Sequence, residues 1–150
     1  MEMPDIRTLV PHSGPMVLLD RVILADEESL CAEVRIRSDS LFCVAGAVGA
    51  WIGLEYMAQA IGACAGYTAR LRGEPVKLGY LLGTRCYECT RPVFTVGTVL
   101  RIHVKRVLQS EDGMGSFECR IDDENGQIAT ASLAVFQPAG EANFSDQSSL

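Results

Sequence analysis

Between residues 41 and 69 the chain carries only two strongly polar side chains, Glu55 and Gln59. A run of that length admits two structures, a membrane-spanning helix or a helix sunk in the core of a globular domain. Three features select the second. The run is rich in Ala and Gly rather than Leu and Ile, a carboxylate sits near its middle, and the flanking sequence alternates as amphipathic strands do. The spacing predicts a helix over residues 50–72. Glycines at 53, 62 and 66 each lower helix stability by roughly 1 kcal/mol relative to Ala. Small residues kept at that cost imply close approach of neighbouring backbone, as in a helix wrapped by a sheet. Glu55 and Gln59 stand four apart and share one face. A polar stripe on an otherwise apolar helix must meet hydrogen-bond partners, water or a ligand. It is either a structural hydrogen-bonded pair or a catalytic acid with its neighbour inside an apolar tunnel.

The flanks supply the sheet. Residues 16–24 form a largely apolar run broken by Asp20-Arg21, and residues 29–37 alternate, with Leu30, Ala32, Val34 and Ile36 on one face. After the helix, residues 78–87 read as a strand in which Gly79 and Gly83 weaken the pairing or mark bulges. Residues 99–108 place Leu100, Ile102 and Val104 inward and Arg101, His103 and Lys105 outward, which predicts a solvated position for His103. Glu111-Asp112-Gly113 predicts a turn, Asn125-Gly126 a hairpin, and residues 128–136 a last strand. The expected fold is α+β, an antiparallel sheet around one long helix. One domain over residues 1–138 is followed by a loosely ordered polar tail, 139–150.

With a net charge of -6 and no cluster of Lys or Arg, the chain is a poor nucleic-acid binder, because phosphate contacts need concentrated positive charge. The opening Met1-Glu2-Met3-Pro4-Asp5 has neither the basic nor the apolar region of a secretory signal. The six cysteines (31, 43, 64, 86, 89 and 119) lie in apolar or strand-like runs and read as reduced cytoplasmic thiols. Cys86-Tyr87-Glu88-Cys89 has the spacing of half a zinc site, but no second pair follows. No metal or other cofactor is expected, and no membrane partner.

Three blocks, in order, resemble the β-hydroxyacyl-carrier-protein dehydratases of the hot-dog fold. Residues 9–22, containing Pro11-His12, Pro15 and Asp20-Arg21-Val22, are similar to the family's opening L-x-P-H-x-x-P-x-x-L-x-D-R-V. Leu54-Glu55-Tyr56-Met57-Ala58-Gln59-Ala60 resembles the L-E-x-M-A-Q-A helix motif that carries the catalytic acid. Arg91-Pro92-Val93, with Gly97 and Leu100, resembles the family's basic-Pro-Val-x-x-Gly-x-x-Leu strand opening. One departure stands out. The family's catalytic His lies in G-H-F-P-G, fourteen residues before the acid, and that position is Leu41 here. In lacking the motif the chain resembles the dehydratase-like proteins of aryl-polyene biosynthesis clusters.

The resemblance implies dehydration of 3-hydroxyacyl thioesters on acyl carrier protein to 2-enoyl thioesters, with Glu55 as the acid. It places the thioester-carbonyl donor at the backbone N–H of Ala50, where the helix N-terminus adds partial positive charge. Gln59 is expected to orient Glu55 or a bridging water at the substrate. His12, the only imidazole besides His103, is the candidate base in place of the absent motif histidine; in better-known family members its counterpart is more plausibly structural. The implied partners are acyl carrier protein bearing an acyl phosphopantetheine and a second hot-dog subunit, in a homodimer or a heterodimer with a related dehydratase. The missing histidine keeps open a non-catalytic subunit paired with an active dehydratase. A hot-dog thioesterase, in which a helix carboxylate activates water, is the third reading.

Overall fold

A computed structural model describes residues 3–10, 14–75 and 80–137. Nine strands and one long helix follow the chain in the order β1 (Arg21–Ala25), β2 (Ser29–Arg35), β3 (Cys43–Val44), β4 (Ala47–Gly49), α1 (Gly53–Leu71), β5 (Tyr80–Cys89), β6 (Val93–Thr95), β7 (Val99–Gln109), β8 (Met114–Asp123) and β9 (Gly126–Phe136). Six of the strands form one antiparallel sheet in the order β1-β2-β7-β8-β9-β5. The helix packs chiefly against β7 and β2, and the sheet wraps around it as the resemblance implies.

The pairing follows from the alternation. Leu100, Ile102 and Val104 of β7 turn inward with Leu30, Ala32 and Val34 of β2 and Phe117, Cys119 and Ile121 of β8, all buried. They meet Met57, Ala60, Ile61 and Cys64 of α1. Each fully buried Leu or Ile contributes about 1.5–3 kcal/mol. The glycine reasoning holds at Gly66, where a Cβ would collide with the carbonyl oxygen of Leu9. Only glycine lets the segment around Leu9 lie directly on the helix.

Three expectations are corrected. The predicted helix over 50–72 divides into a 3-10 turn, Ala50–Ile52, and α1 proper. Residues 16–24 do not form one strand: Met16 ends a 3-10 turn and β1 begins only at Arg21. A second, three-stranded sheet, β3-β4-β6, was not foreseen. It pairs Val48 with Phe94 and Gly49 with Val93, and its strands are too short to show a period in sequence. Gly83 does sit at a bulge in the β5–β9 pairing, and Gly126 opens β9 with φ +124. Gly79, His12 and the tail 139–150 lie outside the described residues.

Candidate active site

The start of the helix is fixed by two distant residues. Ala50 N–H donates to the carbonyl of Pro92 at 2.9 Å, and the Ala50 carbonyl accepts from the Tyr87 hydroxyl. The first bond corrects the expectation for Ala50: its N–H is spent joining the helix start to the β5–β6 connection, so it does not face a substrate carbonyl. Of the donors that follow, Ile52 N–H has the Gly49 carbonyl one 3-10 turn back, whereas Trp51 N–H has no carbonyl one turn back within the helix.

Tyr87 reaches the helix because β5 is bulged. The pairing with β9 shifts register between Arg85 and Glu88, and Cys86 adopts φ +53, which re-aims the following side chain. Burial pushes the Tyr87 phenol up, so it remains a donor. A Cβ at Gly53 would collide with the Tyr87 hydroxyl, which explains glycine at the first position of α1. The sequence reading missed Tyr87; the signal available was a glycine tolerated at the mouth of a helix.

Glu55 lies in the first turn of α1 and is half-buried. Gln59, one turn on, is 0% exposed. Its carbonyl oxygen accepts from Leu18 N–H at 2.9 Å, and its amide nitrogen donates to the Met16 carbonyl at 2.7 Å and to Glu55 Oε1 at 3.2 Å. Both amide protons therefore have acceptors and the oxygen has a donor. The side chain cannot rotate without losing two backbone partners, so it presents an N–H to the carboxylate from a fixed position. The two residues paired on sequence grounds are hydrogen-bonded in space.

Leu41, in the place of the family's motif histidine, is exposed in the loop between β2 and β3. His103 does not stand free in solvent as its alternation predicted. Its Nε2 lies 3.3 Å from Asp122 Oδ2 and 3.9 Å from Cys31 Sγ, on the face of the sheet away from α1. Burial, then the neighbouring Arg120, holds the imidazole below its ordinary pKa, and burial pushes the Cys31 thiol up. Both contacts fall on one ring nitrogen, so the cluster lacks the geometry of a relay, which needs base and orienter on opposite nitrogens. Among the described residues no three His, Cys, Asp or Glu side chains group as metal ligands, and no helix is long and apolar enough to cross a membrane.

Comparison with known proteins places this geometry. The model of an ApeP-like family, described as ApeP dehydratase, matches residues 4–146. The dehydratase heterocomplex ApeI:P from Xenorhabdus doucetiae contains a chain 35% identical, superposing with a TM-score of 0.87 over 93% of this chain and 94% of that one. The 3-hydroxyacyl-[acyl-carrier-protein] dehydratase FabZ of Bartonella quintana is 28% identical over 141 residues, 90% of this chain and 88% of that protein. A hypothetical thioesterase from Streptococcus pneumoniae, at 13% identity and a TM-score of 0.62 over 78% of this chain and 84% of its own, shares the fold alone. The sheet around α1 is a hot-dog fold.

Proposed function

Because the chain belongs to the ApeP-like dehydratase family, we propose that it works in the dehydration of 3-hydroxyacyl thioesters carried on acyl carrier protein, with Glu55 as the acid. The observation that carries the reading is the Gln59 clamp. An amide locked by Met16 and Leu18 holds one oxygen of a first-turn carboxyl, which is how a catalytic group is kept in a fixed orientation. In the reaction a base takes the α-proton, the C2–C3 double bond forms as the hydroxyl departs, and the Glu55 carboxyl protonates that hydroxyl so that it leaves as water. The enolate-like thioester oxygen falls to an N–H donor, for which the Trp51 amide stands at the helix start.

His12 is the proposed base. It lies four residues before Met16, an extended span of at most about 14 Å, and Met16 is joined through Gln59 to Glu55. Chain connectivity therefore allows an imidazole at the same substrate.

The second reading, a subunit that needs an active partner, also has support. Leu41 stands where the family motif has its histidine, and the Xenorhabdus relative belongs to a heterocomplex. Trp51 and Val44 are 68% and 75% exposed, with Phe42 close to Trp51 and also exposed, and β5 is an edge strand. Such features ask for a partner. A homodimer, or a heterodimer with a related hot-dog dehydratase, is part of the proposal, as is a cytoplasmic setting for six unpaired thiols.

The test is mass spectrometry of 3-hydroxyacyl- and enoyl-carrier-protein incubated with the chain alone and with a related dehydratase subunit. A mass change of one water, absent with a stably folded Glu55→Gln variant, supports the reaction. Water loss that Glu55→Gln leaves at the wild-type rate removes the residue from the mechanism and makes this chain the auxiliary subunit. Release of free carrier would mean thioester hydrolysis instead. A single 16 kDa species in sedimentation at micromolar concentration would count against the assembly.

A further inference from the structure

Ala50 is flanked by two peptide groups, and each is pinned from outside the helix. The N–H of the first donates to the Pro92 carbonyl at 2.9 Å. The second joins the Ala50 carbonyl to the Trp51 N–H. Its oxygen accepts twice, from Gly53 N–H within the 3-10 turn and from the Tyr87 hydroxyl. Two donors fill the two lone pairs of a carbonyl oxygen. The helical bond alone already satisfies that oxygen, so polar satisfaction does not call for the second donor. Yet the chain carries two local costs to bring the phenol there. Cys86 takes φ +53 at the β5 bulge, a conformation unfavourable for a residue with a Cβ. Gly53 holds the first position of α1, where any Cβ would collide with the phenol oxygen, and glycine is a poor helix former. Strain kept at two places for one bond points to a use.

The use lies at the other end of the same peptide group. An amide is planar and trans, so its C=O and N–H point in opposite directions and turn together. Holding the Ala50 oxygen therefore fixes the direction of the Trp51 N–H, which has no carbonyl one turn back within the helix. A donor on an amide oxygen also draws charge from the nitrogen, and chained hydrogen bonds strengthen one another by about 10–30% per bond. Burial pushes the Tyr87 phenol up, so it keeps its proton through the neutral range.

We infer that Tyr87 is a positioning residue for the reaction: through the Ala50–Trp51 peptide group, its hydroxyl aims and strengthens the Trp51 N–H as donor to the thioester oxygen. The inference rests on the dehydration reading above and adds a residue to it. Tyr87 touches no substrate in this account and exchanges no proton. Its effect grows with the charge on the thioester oxygen, so it is larger in the enolate-like transition state than in the bound ground state. Losing one oxyanion donor outright lowers kcat about 100- to 1,000-fold. Weakening that donor by about 10–30% of its free energy lowers kcat about 2- to 8-fold.

A series of donors at position 87 tests it, in the full chain and in whatever assembly turns substrate over. Tyr87→Phe removes the donor and keeps the ring. Replacing Tyr87 by 3-fluorotyrosine strengthens the donor at nearly unchanged size, and burial keeps that phenol protonated too. One readout is kcat and KM for 3-hydroxyacyl-carrier-protein. The other is the infrared carbonyl stretch of a bound saturated acyl-carrier-protein, labelled with carbon-13 at the thioester and unable to react. That stretch falls as the hydrogen bond to the carbonyl strengthens. Tyr87→Phe should lower kcat about 2- to 8-fold with KM within about 2-fold, and move the stretch toward its unbound value. The fluorinated variant should move both the other way. A role in stability alone shifts the melting temperature and leaves the stretch and the rate per folded enzyme unchanged, which overturns the assignment, as does a loss confined to KM. Where rate and stretch disagree, the stretch decides. If Tyr87→Phe fails to fold, the direction of the shift in the fluorinated variant decides. Failure of the reaction is distinguishable. A stretch that follows the series in a protein that never dehydrates sinks the function and leaves Tyr87 assigned. An active protein whose kcat and stretch ignore the series sinks the Tyr87 role and leaves the function.

Discussion

Replacing Gln59 separates a clamp from a merely buried amide. Gln59→Met keeps the volume and removes every polar contact: Leu18 N–H loses its acceptor, the Met16 carbonyl its donor, and Glu55 the N–H at 3.2 Å. Each stranded backbone group costs about 1–3 kcal/mol if it stays buried. The Met16 side chain is 51% exposed, so its segment can move outward and recover part of this from water. A net loss of about 2–3 kcal/mol is expected, or roughly 4–12 °C in Tm for a domain this size. Thermal unfolding must be read at one protein concentration, since assembly adds its own stabilisation. Gln59→Glu adds a pH arm. An ionised carboxylate there can still accept from Leu18 but confronts two acceptors, the Met16 carbonyl and Glu55; protonation restores one donor. The introduced group's folded pKa must then exceed its unfolded value of about 4.3. By linkage the stability it contributes is fully present below that value and is lost as pH rises through the folded pKa. Relative to wild type, this variant should be most stable below about pH 4.3 and weaken progressively toward pH 7. A Gln59→Met protein melting within about 1 °C of wild type, or a Gln59→Glu protein with no such trend, would refute the clamp.

Two further outcomes follow from the geometry. Gly53→Ala should cost about 2–3 kcal/mol by overpacking against the Tyr87 hydroxyl, and adding Tyr87→Phe should recover part of that loss in urea unfolding; strictly additive variants would show that the two do not meet. For His103, whose folded pKa is depressed by burial, the contribution to stability is present above its unfolded pKa of about 6.5 and is lost as pH falls through the folded value. Wild type should therefore lose Tm relative to His103→Gln between pH 7 and pH 5, and the opposite slope would mean that Asp122 dominates.

What could be read from the sequence was local and periodic. The inward row of β7, the Asn125-Gly126 hairpin and the polar stripe of α1 all repeat at a fixed interval or use a fixed turn chemistry, and each is present. What could not be read was non-local. Nothing near Ala50 says that Pro92, distant in sequence, will take its N–H. Cys86 is not a residue that announces a left-handed conformation, so the bulge aiming Tyr87 was invisible. Residues 17–20 have strand-like composition, but Gln59 claims Leu18 N–H and the Met16 carbonyl before a neighbouring strand can. His103 was placed on the correct face and at the wrong depth, because Cys31 and Asp122 crowd it from the two adjacent strands.

These non-local contacts also bear on where a base can come from. Glu55, the proposed acid, is bonded by a helix residue that two backbone groups of the opening segment hold in turn, so the candidate site joins two separate parts of the chain. The loop that carries the family's motif histidine offers only Leu41 at that position. His103 is committed to the far face of the sheet. On the proposed reaction the base is then either His12, four residues before Met16 in the chain, or a group on a second subunit, for which the exposed apolar surface around Trp51 and Val44 is a candidate contact. The two sources differ in a physical respect. A base on the same chain acts at a concentration fixed by the tether, whereas a base on a partner is present only in the assembled fraction. Dehydration by the isolated chain therefore favours His12, and dehydration that appears only with a related subunit favours a divided site in which this chain supplies Glu55 and the partner supplies the base.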